Sequence, residues 1–405
     1  MIELIRGLWY NSSIVKLKSV REAHISKGTR VLLRVDFNVP LAANGAVELH
    51  GDYRIRESLE TIKFLRKKGA RIIIVAHLGR PNGKVVEALR LDPIAVRLAQ
   101  LLKVAVYKIN EIVGANVEAA VDDLKPGEIL LLENVRFDAH EEKADAQFAH
   151  QLAVLADLYV NDAFGVSHRK QASVTRVTRY LPSYAGLLLE REVRELSPLI
   201  EKKLPKLVVI IGGAKISTKV GLIKQFLPRA DHILLGGALA NTVLQAQGIS
   251  VGASLIESEM IPVIKKISLT NPQLHVPVDG VMATSDHAKG HLDALGDIKP
   301  KEKILDIGPD TVKLYDSILK QAKTVIWNGP MGLIEQPQFS RGTEQLAKLL
   351  SRSKAKVIIG GGETVEVIHR LKLEKKFHFV STGGGAMLEF LEEGMLPGIK
   401  PLIKE

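Results

Sequence analysis

VLLRVDFNVP, Val31–Pro40, is a short run of branched apolar residues that ends in Asp36, Phe37 and Asn38 and is stopped by Pro40. Three more segments of the first half have the same form: IIIVAHLGRP (Ile72–Pro81), ILLLENVRF (Ile129–Phe137) and LYVNDAFGVSHR (Leu158–Arg169). The second half repeats it with glycine and lysine in the loops. Its segments are LVVIIGGAKISTK (Leu207–Lys219), ILLGGALAN (Ile233–Asn241), TVIWNGPMG (Thr324–Gly332), KVIIGGGET (Lys356–Thr364) and HFVSTGGGA (His378–Ala386). Apolar runs of this length, each followed by a polar turn and a helical pattern, read as parallel strands buried on both faces with crossover helices. In open α/β sheets, ligands bind beyond the carboxyl ends of the strands, where all these loops fall. The fold class is therefore α/β. The two loop chemistries predict two sites: one for a small anion gripped by cationic forks, one for a phosphate chain laid on bare backbone.

A chain of 405 residues accommodates two or three domains, each with a full core. The absence of cysteine excludes disulfides, thiolate nucleophiles and cysteine-ligated zinc, and fits an intracellular protein. The net charge of +11 raises nucleic acid or an anionic membrane as partners. The basic residues are dispersed, however, and the densest groups, Arg66-Lys67-Lys68 and Lys299–Lys303, are short and lack interleaved aromatics. They read as solvated faces, so neither nucleic acid nor membrane is expected as a partner. No apolar run approaches a membrane span, and Glu3 and Arg6 interrupt the apolar character of residues 1–13, which argues against a secretory segment. A cytoplasmic location is expected.

Strand-loop-helix units run from about Val31 to Tyr180 and resume from Lys206 to about Leu391. Between them, Leu187–Leu199 carries Leu188, Val193 and Leu196 at helical spacing, with Pro198 and Pro205 bracketing the end. No Gly/Ser linker separates the halves, so a helix is expected to join two lobes semi-rigidly. The expected division is 1–185, a connecting helix and linker at 186–204, and 205–391. The tail Met395–Ile399 is apolar enough to dock.

Several standard nucleotide motifs are missing. Gly79–Lys84 has the wrong spacing for a Walker A loop, and Val85 stands where Ser or Thr is required. No GxGxxG follows a strand, and Asp36-Phe37-Asn38 lacks the glycine and the HRD partner of protein kinases. Instead, Gly360–Thr364 and Thr382–Ala386 each follow a buried strand and open a helix, where backbone N–H groups and the helix N-terminus favour an anion. One such run is as readily a tight turn. Two of them, with Gly212-Gly213 and Gly236-Gly237, favour a phosphate site. Lys215 and Lys219, four apart, are expected on one helical face behind Gly213, opposing the macrodipole unless an anion offsets them. In the first half Arg34, Arg54, Arg80, Arg136 and Arg169 fall in or near the loops, beside His77 and His168. Arginine holds carboxylate and phosphate bidentately, so their convergence predicts a small, multiply charged substrate. His287 and His291 have i,i+4 spacing, but Gly290 and the lack of a third ligand make a solvated loop the better reading.

Taken in order, RVDFNVP, HLGRP, LLENVRF, YVNDAFGVSHR, GGAKISTK, DIGPDT, VIWNGPMGLIE, GGGET and STGGGA resemble the phosphoglycerate kinase family, from about Val31 to Pro397. The glycine runs are weak signals, whereas RVDFNVP, HLGRP and WNGPMG are strong ones. The resemblance implies two doubly wound parallel-sheet, Rossmann-like domains joined by an interdomain helix, with the C-terminal segment 392–405 returning to the N-terminal lobe. It implies reversible phosphoryl transfer between 1,3-bisphosphoglycerate and Mg-ADP, giving 3-phosphoglycerate and Mg-ATP. By the same resemblance, Asp36, Phe37 and Asn38 orient the glycerate. Arg54, His77, Leu78, Gly79, Arg80, Arg136 and Arg169 hold its phosphate and carboxylate. Lys219 contacts the nucleotide phosphates, Lys215 and Arg54 the transferring group, and Glu335 the ribose. Gly213, Gly237, Asn328 and Pro330 line the nucleotide slot, and Gly361, Gly362, Glu363 and Thr364 cradle phosphate and Mg2+. Family members usually carry Asp where this chain has Glu363, so metal contact is expected directly or through water. A monomer is expected, with a homodimer as the alternative.

The implied mechanism is physically coherent. A carboxylate with an unperturbed pKa of roughly 3.5 is already ionised at neutral pH, so no general base is needed. Catalysis reduces to in-line alignment and neutralisation of charge on the transferring group, with closure of the lobes to bring the substrates together. The rivals are another ATP-dependent kinase forming an acyl phosphate on a small carboxylic acid, and a basic nucleic-acid-binding or scaffold protein that has lost catalysis. The latter predicts damaged loops, and these loops are intact.

Overall fold

In the computed structural model, residues 15–48, 51–201, 203–267 and 271–404 are described. The N-terminal stretch 1–13, expected to carry no secretory segment, lies outside the described residues. The first half supplies strands β1 (Arg30–Arg34), β2 (Arg71–Val75), β3 (Tyr107–Lys108), β4 (Ile129–Leu131), β5 (Leu158–Asn161) and β6 (Ser183–Ala185). They form one parallel sheet in the order β3-β4-β2-β1-β5-β6. Period-two alternation explains why the runs are apolar throughout. Val31, Leu33, Ile72, Ile74 and Ile129 enter one core with Ile55, Ile62 and Leu98 from helices Tyr53–Lys67 and Asp92–Leu102. Leu32, Ile73, Leu130 and Tyr159 enter the other with Val117, Phe148 and Leu152 from helices Ala115–Asp122 and Ala146–Ala153. From β1 the chain moves to β2 on one side and later to β5 on the other. The topological switch point, and with it the natural ligand crevice, therefore lies where the loops leave β1 and β5.

The second half supplies β7 (Leu207–Ile211), β8 (His232–Leu235), β9 (Leu274–His275), β10 (Asp279–Ala283), β11 (His291–Ala294), β12 (Lys303–Ile307), β13 (Thr324–Asn328), β14 (Lys356–Gly360) and β15 (Phe379–Val380). Six of these make a parallel sheet in the order β15-β14-β13-β7-β8-β9. Numbered from its own first strand, this is the doubly wound order of dinucleotide-binding folds, with its switch point between β7 and β13. The class is α/β, as expected. The second half also carries strands outside its parallel sheet. β10, β11 and β12 form a separate antiparallel sheet. All four residues of β11 are exposed, and the β10–β12 register shifts between Val281 and Met282. No buried apolar run marked these strands in the sequence. His291 correspondingly stands on a strand rather than in a loop.

The chain divides into two compact units, Met1–Pro198 with Glu393–Glu405, and Leu199–Glu392. The boundary falls inside helix Leu187–Glu201, which continues past Pro198 instead of ending at Leu199. Proline in the last turn of a helix removes a single intrahelical hydrogen bond and need not stop it there. The tail belongs to the first unit, with Leu396, Ile399 and Leu402 fully buried. The Gly398 N–H donates to the Ser167 carbonyl at 2.8 Å, and its own carbonyl accepts from Asn161 Nδ2 at 3.1 Å. A Cβ at Gly398 would come within 2.6 Å of Val174 and 3.0 Å of the Ser167 backbone, so only glycine fits the approach.

Candidate active-site residues

In the first unit, the loops leaving β1, β2 and β4 are tied into one chain of hydrogen bonds. Asp36 accepts from Arg54 Nη1 at 2.8 Å and from the Asn38 N–H at 3.2 Å. Asn38 Oδ1 accepts from the Gly79 N–H at 2.8 Å, and the Gly79 carbonyl accepts from Arg136 Nη1 at 2.8 Å. His77 Nε2 stands 3.9 Å from Asp36 Oδ1. Phe37 and Leu78 are buried beneath and anchor the loops in the core. Gly79 has φ +65°, and a Cβ there would meet Leu89 at 2.7 Å, so the turn that delivers its N–H to Asn38 requires glycine. Arg80 and Arg169 are exposed at the rim.

The electrostatics of this cluster favour an incoming anion. Burial alone would push the Asp36 carboxyl up, but Arg54, with His77, the Asn38 N–H and Arg34, holds it below the usual range. Burial drives His77 well below its ordinary value; Asp36 opposes this, and Arg34, Arg136 and Arg54 add to it, so the ring is neutral at pH 7. Arg136 is pushed down to about 10, first by burial and then by Arg34, and remains cationic. Its buried Nε lacks a hydrogen-bond partner among the described residues, with Glu142 at 3.8 Å. His168 Nδ1 is likewise buried and unpaired, and burial followed by Arg169 lowers this imidazole to about 4.

In the second unit, a cavity of about 460 Å³ opens at the carboxyl ends of β7, β13 and β14. Gly213, Lys215, Lys219, Asn328, Gly361, Gly362 and Glu363 contribute to its lining. The Gly212 and Gly213 N–H groups donate to the Asn328 and Pro330 carbonyls at 2.9 and 2.8 Å, which zips the β7 loop to the β13 loop. A Cβ on Gly212 would meet the Pro330 carbonyl at 2.1 Å, so this approach also requires glycine. The Lys219 ammonium donates to Asn328 Oδ1 and is lowered to about 8 by burial, with Glu363 opposing. Glu363 lies in the first turn of helix Gly362–Arg370; burial and then Glu335 raise its carboxyl, against Lys219. Gly237, Pro330, Glu335 and Thr364 stand beside the cavity rather than among its lining residues. Thr364 is buried, and its hydroxyl accepts from the Gly329 N–H at 2.9 Å.

The lysine pair differs from expectation. The helix begins only at Val220, so Lys219 is its N-cap residue and Lys215 lies in the preceding loop, exposed. The two do not share a helical face. Glu257 delays the helix by accepting from the Ser217 N–H at 2.9 Å and the Ser217 hydroxyl at 2.6 Å. That contact spans forty residues and left no local signal.

A model of the phosphoglycerate kinase family matches residues 20–394. This chain belongs to the phosphoglycerate kinase family. The phosphoglycerate kinase of Coprothermobacter proteolyticus is 43% identical over 395 residues, covering 96% of this chain and 100% of its own. That of Roseiflexus sp. (strain RS-1) is 46% identical over 393 residues, covering 95% and 98%. Among solved structures, phosphoglycerate kinase from Coxiella burnetii aligns with a TM-score of 0.80 at 38% identity, and that from Pyrococcus horikoshii OT3 with 0.86 at 30%. Each covers 95% of this chain and 98% of the other. As a phosphoglycerate kinase, the chain is a phosphotransferase of glycolysis that uses ATP and ADP as substrates and the carboxyl group of 3-phosphoglycerate as acceptor. The alternative of a kinase for a different small acid is set aside. Among the described residues, no helix is long and apolar enough to cross a membrane.

Proposed function

We propose that the first unit binds 3-phosphoglycerate and 1,3-bisphosphoglycerate, and that the second binds Mg-ADP and Mg-ATP. The observation that carries the first half is the hydrogen-bonded chain from Arg54 through Asp36, Asn38 and Gly79 to Arg136, which gathers cations at the switch point of its sheet. Asp36 and Asn38 orient the glycerate, and Arg54, His77, Arg80, Arg136 and Arg169 meet its charged ends. Phe37 and Leu78 fix the loops from below. In the second unit, Lys219 and the amides of Gly361 and Gly362 meet the nucleotide phosphates, and Gly213 lines the nucleoside slot. Asn328 holds the Lys219 ammonium in place. Gly237, Pro330 and Glu335 serve the nucleoside, and Thr364 braces the turn beneath the phosphates.

Mg2+ fits this arrangement. Burial and then Glu335 raise the Glu363 carboxyl beside the cavity, and Lys219 opposes them only in part. No cluster of three acidic or histidine groups offers a full cage among the described residues. Glu363, directly or through water, would hold the ion while phosphate oxygens and water complete its shell. The ion would supply neutralisation of phosphate charge.

The acceptor carboxylate needs no base, so the protein's work is alignment and charge stabilisation of the phosphoryl group. Lys215 and Arg54 take that role. A cytoplasmic setting, which the lack of cysteine supports, goes with this reading. Steady-state assay of Lys215→Ala with 3-phosphoglycerate and ATP tests it. We expect kcat to fall by about 10² or more, the scale of one preorganised electrostatic donor, with little change in nucleotide affinity. An unchanged kcat would remove Lys215 from the transfer step.

A further inference from the structure

Arg34 ends β1 and has no exposed surface, so its charge must be met inside the protein. Its Nε donates to Ser173 Oγ at 2.9 Å, Nη1 donates to the Val35 carbonyl, and Nη2 lies 3.3 Å from His77 Nδ1. A guanidinium offers donors only. His77 Nδ1 must therefore accept, and the neutral ring carries its proton on Nε2. That nitrogen is the one 3.9 Å from Asp36 Oδ1. An N–H there attracts the Asp36 carboxylate and any acid oxygen arriving beside it, whereas a lone pair would repel both.

Behind Arg34 stands Glu141, also without exposed surface, on the short helix Ala139–Glu142. Its two oxygens accept from the Ser173 hydroxyl at 2.6 Å and the Ser173 N–H at 2.9 Å. Ser173 has one hydroxyl proton. Giving it to Glu141 forces a lone pair toward Arg34 Nε, so the direction of every hydrogen bond from Glu141 to His77 is set. Ser173 sits in a π turn, Ala172–Arg176, and its carbonyl accepts from the Tyr159 hydroxyl at 2.8 Å. Such turns are rare and concentrate at functional sites. Buried charges joined only through a hydroxyl contribute little net stability compared with apolar packing, so stability alone is a poor reason for this arrangement.

We propose that Glu141 and Ser173 are positioning residues for phosphoryl transfer, acting through Arg34 to hold His77 as the Nε2–H tautomer that faces Asp36 and the acid substrate. The proposal rests on the reading of Asp36 and His77 as contacts of 3-phosphoglycerate.

Nitrogen-15 NMR of histidine-labelled, ligand-free protein reads the tautomer directly, and steady-state kinetics reads its consequence. Wild-type His77 should carry its proton on Nε2. Glu141→Ala should mix the tautomers and raise KM for 3-phosphoglycerate about tenfold, the scale of one well-placed hydrogen bond, with KM for ATP unmoved. Glu141→Gln keeps an acceptor for the Ser173 hydroxyl and should preserve most of both properties. A wild-type ring protonated on Nδ1 overturns the proposal without recourse to any variant. So does a Glu141→Ala protein that keeps both tautomer and KM. Mixed tautomers with an unmoved KM would instead overturn the placing of His77 in the acid site, and with it the functional half of the proposal.

Discussion

Lys219 shows how one residue's surroundings become a measurable property. Burial lowers its ammonium to about 8 in the free protein. A nucleotide phosphate favours the charged form, so binding must draw a proton onto Lys219 wherever the free amine is neutral. ADP affinity should therefore weaken as pH rises from 7.5 to 9.5, with proton uptake seen as a buffer-dependent enthalpy at pH 8.5. Lys219→Arg stays charged throughout this range and should remove the slope; a flat wild-type profile would contradict the burial argument. Glu363 gives a second test. Glu363→Asp should stay active with a modest change in Mg2+ dependence, and Glu363→Ala should raise the Mg2+ needed for half-maximal rate. An unmoved Mg2+ curve with slightly lower thermal stability would make Glu363 a helix-turn residue only, worth about 0.3–1 kcal/mol. Both residues were legible in the sequence because each sits beside a glycine turn at a strand end. The family resemblance assigned Asn328 to the nucleotide slot, but its grip on Lys219 left no signal, because the two are 109 positions apart.

At the scale of elements, the start of helix Leu187–Glu201 carries a pH-dependent contact. Asp162, at the end of β5, accepts from the Leu188 N–H at 2.9 Å, while the Leu187 N–H donates to Thr61 Oγ1 at 2.9 Å. Burial nonetheless pushes the Asp162 carboxyl up to about 7, with Thr61, Leu189, Leu188 and Arg191 opposing. A folded value above the unfolded one of about 3.9 means that the folded state binds more protons between those limits. Stability is then lost as pH rises from about 4 through 7, by at most about 1.4 kcal/mol per pH unit. The Tm of Asp162→Asn relative to wild type should climb over that window, and a constant difference would show that Asp162 is already ionised. The helix itself was legible from its apolar spacing, but its run past Pro198 was not. Periodicity likewise revealed the long central strands of both parallel sheets and missed β10, β11 and β12. A strand exposed along its length, like β11, has no apolar signature to read.

At the scale of the molecule, the tail gives the clearest case of what sequence left undetermined. Its apolar character said only that it docks, and the family resemblance implied a return to the N-terminal lobe; the structure buries Leu396, Ile399 and Leu402 in the first unit and bonds Gly398 to Ser167 and Asn161. The net charge of +11 is similarly ambiguous as a number. It gains meaning where Arg34, Arg54 and Arg136 surround a single Asp36–His77 pair. The proposed division of labour puts the acid substrate on one unit and the nucleotide on the other. Calorimetric titration of Arg136→Ala and Lys219→Ala, each with 3-phosphoglycerate and with Mg-ADP, tests it most directly. Arg136→Ala should weaken 3-phosphoglycerate by about tenfold or more, the scale of a charge-assisted hydrogen bond, and leave Mg-ADP nearly unchanged, with Lys219→Ala doing the reverse. Equal losses for both ligands in either variant would contradict separate sites.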